Sequence, residues 1–172
     1  MKGMILMSWY QFNQNDSFGY FDVNDKLCHR LFIEANSERE AADKAVELGC
    51  YFDGVHKGID CSCCGDRWSG SPQLIDLDDV NERGWRVCCY MRRADSFADV
   101  KNRWQNKYGM YEIKELPQWR ETSVAAEYGG KIKFRNIEEF AQFLANEYGW
   151  TSPDVRLYYV DGRVKEIYSQ DS

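Results

Sequence analysis

Asp60-Cys61-Ser62-Cys63-Cys64-Gly65-Asp66-Arg67-Trp68 concentrates three of the chain's seven cysteines in a stretch, residues 51–83, that otherwise shows little periodicity. A long stretch without secondary-structure signals is uncommon in a compact domain unless function or a metal ties it down. Cys61 and Cys64 have the C-x-x-C spacing of a zinc knuckle, where a tight turn aims two thiolates at one tetrahedral ion. Gly65 fits that turn, because the chain bends into positive φ just past the second ligand and glycine does so without steric cost. Structural zinc usually takes four ligands, and a second C-x-x-C is absent. Adjacent Cys28-His29 and the lone Cys50 are the best supply of the others, and the expected zinc ligands are Cys61, Cys64, Cys63, Cys28 and His29. Cys50, Cys88 and Cys89 read instead as small buried hydrophobes. Gly-Asp-Arg-Trp does not open a helix, which argues against a thioredoxin-like redox pair.

In a reducing compartment the seven cysteines read as thiols or metal ligands rather than disulfides, and their odd number agrees. Met1–Met7 turns polar from Ser8 onward before a signal-peptide core forms, and no run approaches the roughly 18 apolar residues of a membrane span. Cytoplasmic residence is therefore expected. Twenty-two Lys+Arg against twenty-eight Asp+Glu give a net charge of −6, the opposite of the basic footprint of a duplex-binding protein.

Three strand-then-helix units organise the chain. Leu31, Ile33 and Ala35 alternate as in a strand, Ser37 and Glu40 form a capping box, and Ala41, Ala42, Ala45, Val46 and Leu48 make a helical stripe ended by Gly49. Trp85, Val87, Cys89 and Met91 share one face of a second strand, and Ser96 with Asp99 caps a helix carrying Phe97, Val100, Trp104 and Tyr108. The third unit runs from Lys131–Phe134 to a helix capped by Asn136, with Ile137, Phe140, Ala141, Leu144 and Tyr148 as its stripe. Val155–Val160 and Arg163–Tyr168 flank Asp161-Gly162, which predicts a type I′ hairpin burying Val155, Leu157, Tyr159, Val164 and Tyr168. Met4–Phe12 and Phe18–Val23 read as an N-terminal hairpin. These signals predict an α+β fold: a mainly antiparallel sheet, about three helices packed on it, terminal β-hairpins and one cysteine-rich loop. The expected lobes are 1–70, with the cysteine loop, and 71–172, sharing one core or fused into a single domain.

Arg67, Trp68, Arg92 and Arg93 are the expected ligand- or partner-binding residues, since guanidinium groups meet phosphates or carboxylates and indole rings stack or anchor. Asp53, Asp60, Asp66, Asp76, Asp78 and Asp79 are the weaker candidates for a Mg²⁺-dependent phosphoesterase or nuclease. Phosphate-binding and hydrolase signatures such as G-x-x-x-x-G-K-[ST] and G-x-S-x-G are absent from the sequence, so no catalytic residue is assigned.

From about Trp9 to Trp68 the chain resembles a family of small, mostly uncharacterised tailed-bacteriophage proteins. The matching pieces are Phe21-Asp22-Val23, Cys28-His29-Arg30 leading into Phe32-Ile33-Glu34-Ala35, Tyr51-Phe52-Asp53-Gly54, and Asp60-Cys61 with Cys63-Cys64-Gly65-Asp66-Arg67-Trp68. The resemblance implies an accessory protein made in the infected bacterial cytoplasm, and it groups Cys28 and His29 with the loop thiols. The resulting expectation is a non-enzymatic phage protein that binds a host protein, plausibly to inhibit an antiviral defence system. The alternatives are a sponge for a nucleotide immune signal and a metal-dependent phosphoesterase. A homo-oligomer fits either binding reading.

Overall fold

The computed structural model describes residues 6–91, 94–121 and 126–170, without the side chains of 117, 120, 121, 126 and 127. The fold is α+β, with four α-helices among the described residues and two mainly antiparallel sheets. These residues divide into two compact units, one within Met1–Asp76 and Ala141–Asp171, the other within Leu77–Phe140.

The first unit holds a five-stranded sheet. Its central pair is β1 (Ser8–Asn13) and β2 (Arg30–Ala35), antiparallel with Tyr10 opposite Ile33. Beyond β1 lies the short β3 (Gln73–Ile75), and on the other side β2 pairs in parallel with β7 (Val155–Tyr158), which turns back into β8 (Val164–Ile167). Helix α1 (Glu38–Leu48) packs on β2 and buries Ala41, Ala45 and Leu48 against Leu31, Ile33 and Ala35. Val46, expected in that stripe, is exposed. Ser37 caps α1 by accepting the Glu40 N–H at 3.2 Å, and Gly49 closes it with φ +117°. The Glu40 carboxylate reaches past the cap to the N–H of Asn36 at 3.2 Å. Asp99, one methylene shorter, stops at the N–H of its own cap, Ser96, so side-chain length decides which amide is satisfied.

The second unit is the sheet β4 (Trp85–Tyr90), β6 (Ala126–Lys133), β5 (Glu112–Glu121), with β6 in the middle. Helix α3 (Phe97–Tyr108) lays Val100 and Trp104 on it, the Trp104 ring meeting Tyr128 edge-to-face at 5.6 Å. Helix α2 (Leu77–Arg83) was not expected from the sequence. Its Asn81 amide brackets the Phe134 backbone, donating to the carbonyl and accepting from the N–H, both at 2.7 Å. Helix α4 (Ile137–Tyr148), whose first turn falls in this unit and whose residues from Ala141 on fall in the first, is capped by Asn136, which accepts the Glu139 N–H at 2.9 Å.

Two hairpin expectations are corrected. Phe18–Val23 is not a strand: β1 takes β2 and β3 as partners, and residues 14–29 cross as irregular chain with one 3₁₀ turn at Ser17–Gly19. At the C-terminal hairpin, Gly162 has φ +94° but Asp161 does not share the positive φ that a type I′ turn requires. The Gly162 N–H bonds the Tyr159 carbonyl at 3.0 Å, giving a type I turn followed by a left-handed glycine and a three-residue loop. The extra loop residue pairs Val164 with Tyr158 instead of Tyr159. A one-residue slip exchanges the faces of a strand, and Val164 and Tyr168 are accordingly exposed.

Candidate functional site

The cysteine loop is closed by its own flanking residues. Asp60, buried at its start, accepts the backbone N–H of Arg67 at 2.8 Å and the Tyr51 hydroxyl at 2.6 Å. The Arg67 side chain, 2% exposed, donates to the Tyr20 carbonyl at 2.6 Å, the Ser17 carbonyl at 2.9 Å, Gln14 Oε1 at 3.2 Å and the Tyr51 oxygen at 3.2 Å. Asp22 lies 3.2 Å from its Nε. Burial, with the bond to Asp60, pushes the Tyr51 hydroxyl up to about 12, so it stays a donor. Trp68 is wholly buried among Phe12, Leu27 and Leu48. Asp66 accepts the Val55 N–H at 2.9 Å. The polar ends of the motif therefore face inward, where unpaired groups would be expensive.

The thiols sit on the outer edge of this frame. Cys64 and Gly65 donate their N–H groups to the Cys61 carbonyl at 3.2 and 2.9 Å, and Gly65 has φ +90°. The N–H groups of Cys64 and Cys63 and the Cys64 thiol point at the Cys61 sulfur and hold its pKa below the ordinary thiol value. The Cys64 thiol, donating to Cys61, is held above it, although its sulfur accepts the Phe18 N–H. Cys61 is half-buried and Cys63 and Cys64 are exposed.

Cys28 and His29 belong to a different assembly. The Cys28 thiol donates to the Arg30 carbonyl at 3.2 Å, and burial pushes it up to about 12. His29 Nδ1 lies 2.9 Å from Asp154 Oδ1, and Arg30 ion-pairs with the second oxygen of the same wholly buried carboxylate. Asp154 Oδ1 also accepts the N–H groups of Trp150 at 2.8 Å and Thr151 at 3.4 Å, while Arg30 donates to the Tyr148 carbonyl at 3.1 Å. One ion pair thus grips the loop that carries Trp150, a side chain 74% exposed.

The structure therefore unites Cys61, Cys63 and Cys64 but places Cys28 and His29 around Asp154. Among the described residues, no group of three or more His, Cys, Asp or Glu side chains is placed to hold a metal ion. Of the residues expected to meet a ligand or partner, Arg67 and Trp68 are buried, and Arg92 and Arg93 lie outside the described residues. Cys50 is buried as expected, whereas Cys88 and Cys89 are half-buried. Sequence reasoning missed Gln14, Tyr51, Asp154 and Trp150. The Cys-His-Arg run at the head of a buried strand signals a missing counter-charge, but nothing in the sequence points to a residue 124 positions away.

A family model described as a domain of unknown function (DUF7296) matches residues 7–84. The chain is similar to that family over less than half its length, a span holding β1, β2, α1, the cysteine loop and β3. No curated protein and no solved structure matches the chain. No helix among the described residues is long and apolar enough to cross a membrane.

Proposed function

We propose that this is a non-enzymatic bacteriophage accessory protein that binds a host protein in the bacterial cytoplasm, with inhibition of an antiviral defence as the outcome. The observation that carries the reading is Trp150, exposed at the tip of a backbone locked by Asp154. Tryptophan leads the residues that dominate binding energy, and a locked backbone removes the ordering cost of a mobile loop. Tyr148, two positions earlier and half-exposed, is held through its carbonyl by the same Arg30–Asp154 pair. With a net charge of −6, the fitting partner offers an apolar slot for the indole inside a basic rim. The test uses the chain and its Trp150→Ala variant as baits in extract of infected cells. A host protein kept by the first and lost by the second supports the reading. No retained protein, together with turnover of a phosphoester, overturns it in favour of the phosphoesterase.

A separate observation supports the nucleotide sponge. A cleft of about 260 Å³ in the second unit is lined by Arg86, Glu115, Leu116, Gln118, Trp119, Gly129, Gly130 and Lys131, with the Lys131 ammonium 3.1 Å from the Glu115 carboxylate. Register shifts in β5 lie beside Gly129-Gly130, which carry no side chains, and Arg86 with the Trp119 indole suits phosphate and base. Protein loaded with candidate nucleotides and then heat-denatured releases them unchanged if this reading holds. Chemical conversion of the nucleotide rejects it.

A further inference from the structure

We propose that the cleft on the second sheet takes a nucleotide whose phosphorus carries one negative charge, a phosphodiester of the 3′,5′-cyclic kind, in preference to one ending in a doubly charged phosphate. This ligand class presupposes the sponge reading of the same cleft and narrows it. Arg86 stands opposite Lys131 across β4 and β6, and Lys131 stands opposite Glu115 across β6 and β5. Residues paired across an antiparallel ladder project from one face of the sheet, so these three side chains form a charged row. In the next row on that face, two residues along β6, Gly129 lies between Cys88 and Gln118. Its missing side chain leaves the middle of that row bare, and the hollow lies beside the charges.

The charges in the row are not equivalent. The Lys131 ammonium lies 3.1 Å from the Glu115 carboxylate, so one cation already holds an anion. Arg86 is exposed and has no hydrogen bond or ion pair among the described residues. Its guanidinium presents paired N–H donors that match two oxygens of one phosphate. Two cations against one carboxylate leave the row a single positive charge, which one phosphodiester anion cancels. A phosphomonoester brings close to two charges at neutral pH, and Glu115 repels the second. The whole chain acts in the same direction, because a net charge of −6 opposes every additional negative charge that approaches.

Size points to a single nucleotide, since about 260 Å³ is at the lower end of ligand pockets. The Trp119 ring, which Phe97 braces edge-to-face at 5.1 Å, is held in place for a base, and Gln118 offers an amide that both donates and accepts. Arg86 therefore supplies the affinity for phosphate, and Glu115 sets the preference among phosphates.

The test is calorimetric titration of the whole chain with the 3′,5′-cyclic and the 5′-monophosphate forms of the four common ribonucleosides. At least one cyclic form should bind about tenfold more tightly than its monophosphate, the size of one like-charge contact near a surface. Arg86→Ala should weaken that binding by about tenfold or more. Glu115→Gln should erase the preference, tightening the monophosphate by about tenfold while the cyclic form changes little. Both substitutions alter exposed side chains, and melting curves that match the parent's show that the fold is kept. Monophosphates that bind as tightly as the cyclic forms, unchanged binding in Arg86→Ala, or a preference that survives Glu115→Gln overturns this inference and leaves the sponge reading standing. Binding of none of these nucleotides overturns both.

Discussion

Asp60 and Arg67 close the cysteine loop upon itself: the carboxylate accepts the Arg67 N–H at 2.8 Å and lies 3.9 Å from its guanidinium. The Tyr51 hydroxyl bridges them, donating to Asp60 and accepting from Arg67. Removing one partner of a buried pair strands the other, at a cost of about 3–5 kcal/mol. Arg67→Ala should lower the unfolding free energy by about that much in urea titration. Arg67→Lys should not rescue it, since a single ammonium does not reproduce the planar guanidinium fork that meets four acceptors.

Gly54 tests the same clamp from behind. A Cβ there would stand 1.9 Å from Asp60 Oδ2 and 2.8 Å from the Tyr51 ring, so Gly54→Ala must displace the carboxylate. Loss of about 2 kcal/mol or more is expected. Gly70 has open space at the corresponding point, and Gly70→Ala should stay within about 0.5 kcal/mol of the parent. Equal melting temperatures for the two variants would refute the clamp.

Thiol chemistry should divide the cysteines by burial. Burial holds Cys28 and Cys50 protonated up to about 12, so in native protein at pH 8 both should resist a disulfide reagent that titrates the exposed Cys63 and Cys64 within minutes. Peptide mapping after timed alkylation reads this directly.

The same raised values fix the alkaline limit of the fold. Unfolded thiols ionise near 9.0 and tyrosines near 10.0, whereas Cys28, Cys50, Tyr51 and Tyr158 keep their protons up to about 12 in the fold. The native state then binds more protons, so stability is complete below about pH 9 and declines as pH rises towards 12. A urea midpoint that stays constant from pH 8 to 11 would contradict this.

Asp154→Asn should free the Trp150 loop. With Arg30 left without its counter-ion, unfolding free energy should fall by about 3–5 kcal/mol, and limited proteolysis should open the chain within residues 149–154. Trp150→Ala, which removes an exposed side chain, should change stability by no more than about 0.5 kcal/mol.

Local signals proved the readable part of this sequence. The caps at Ser37, Ser96 and Asn136 each place a helix start, because capping is decided within a few residues. The knuckle turn at Cys61–Gly65 was equally legible, since its geometry follows from a glycine and a short spacing. Long-range pairing left no such trace. The parallel partnership of β2 with β7 and the bond of His29 to Asp154 join segments more than a hundred residues apart, and no spacing encodes them. Arg67 misled for a related reason: a guanidinium looks the same in sequence whether its acceptors are a partner's or the chain's own carbonyls. The hairpin at Gly162 failed by a single loop residue, enough to turn Val164 outward.

Because β7 lies against β2, the innermost strand of the first sheet stays half-dressed while a ribosome is still producing the rest of the message. Its hydrophobic edge must wait, shielded by chaperones or by its own neighbours, until Val155–Tyr158 has cleared the exit tunnel. A nonsense mutation shortly before codon 155 would thus be expected to yield aggregates rather than a working N-terminal fragment.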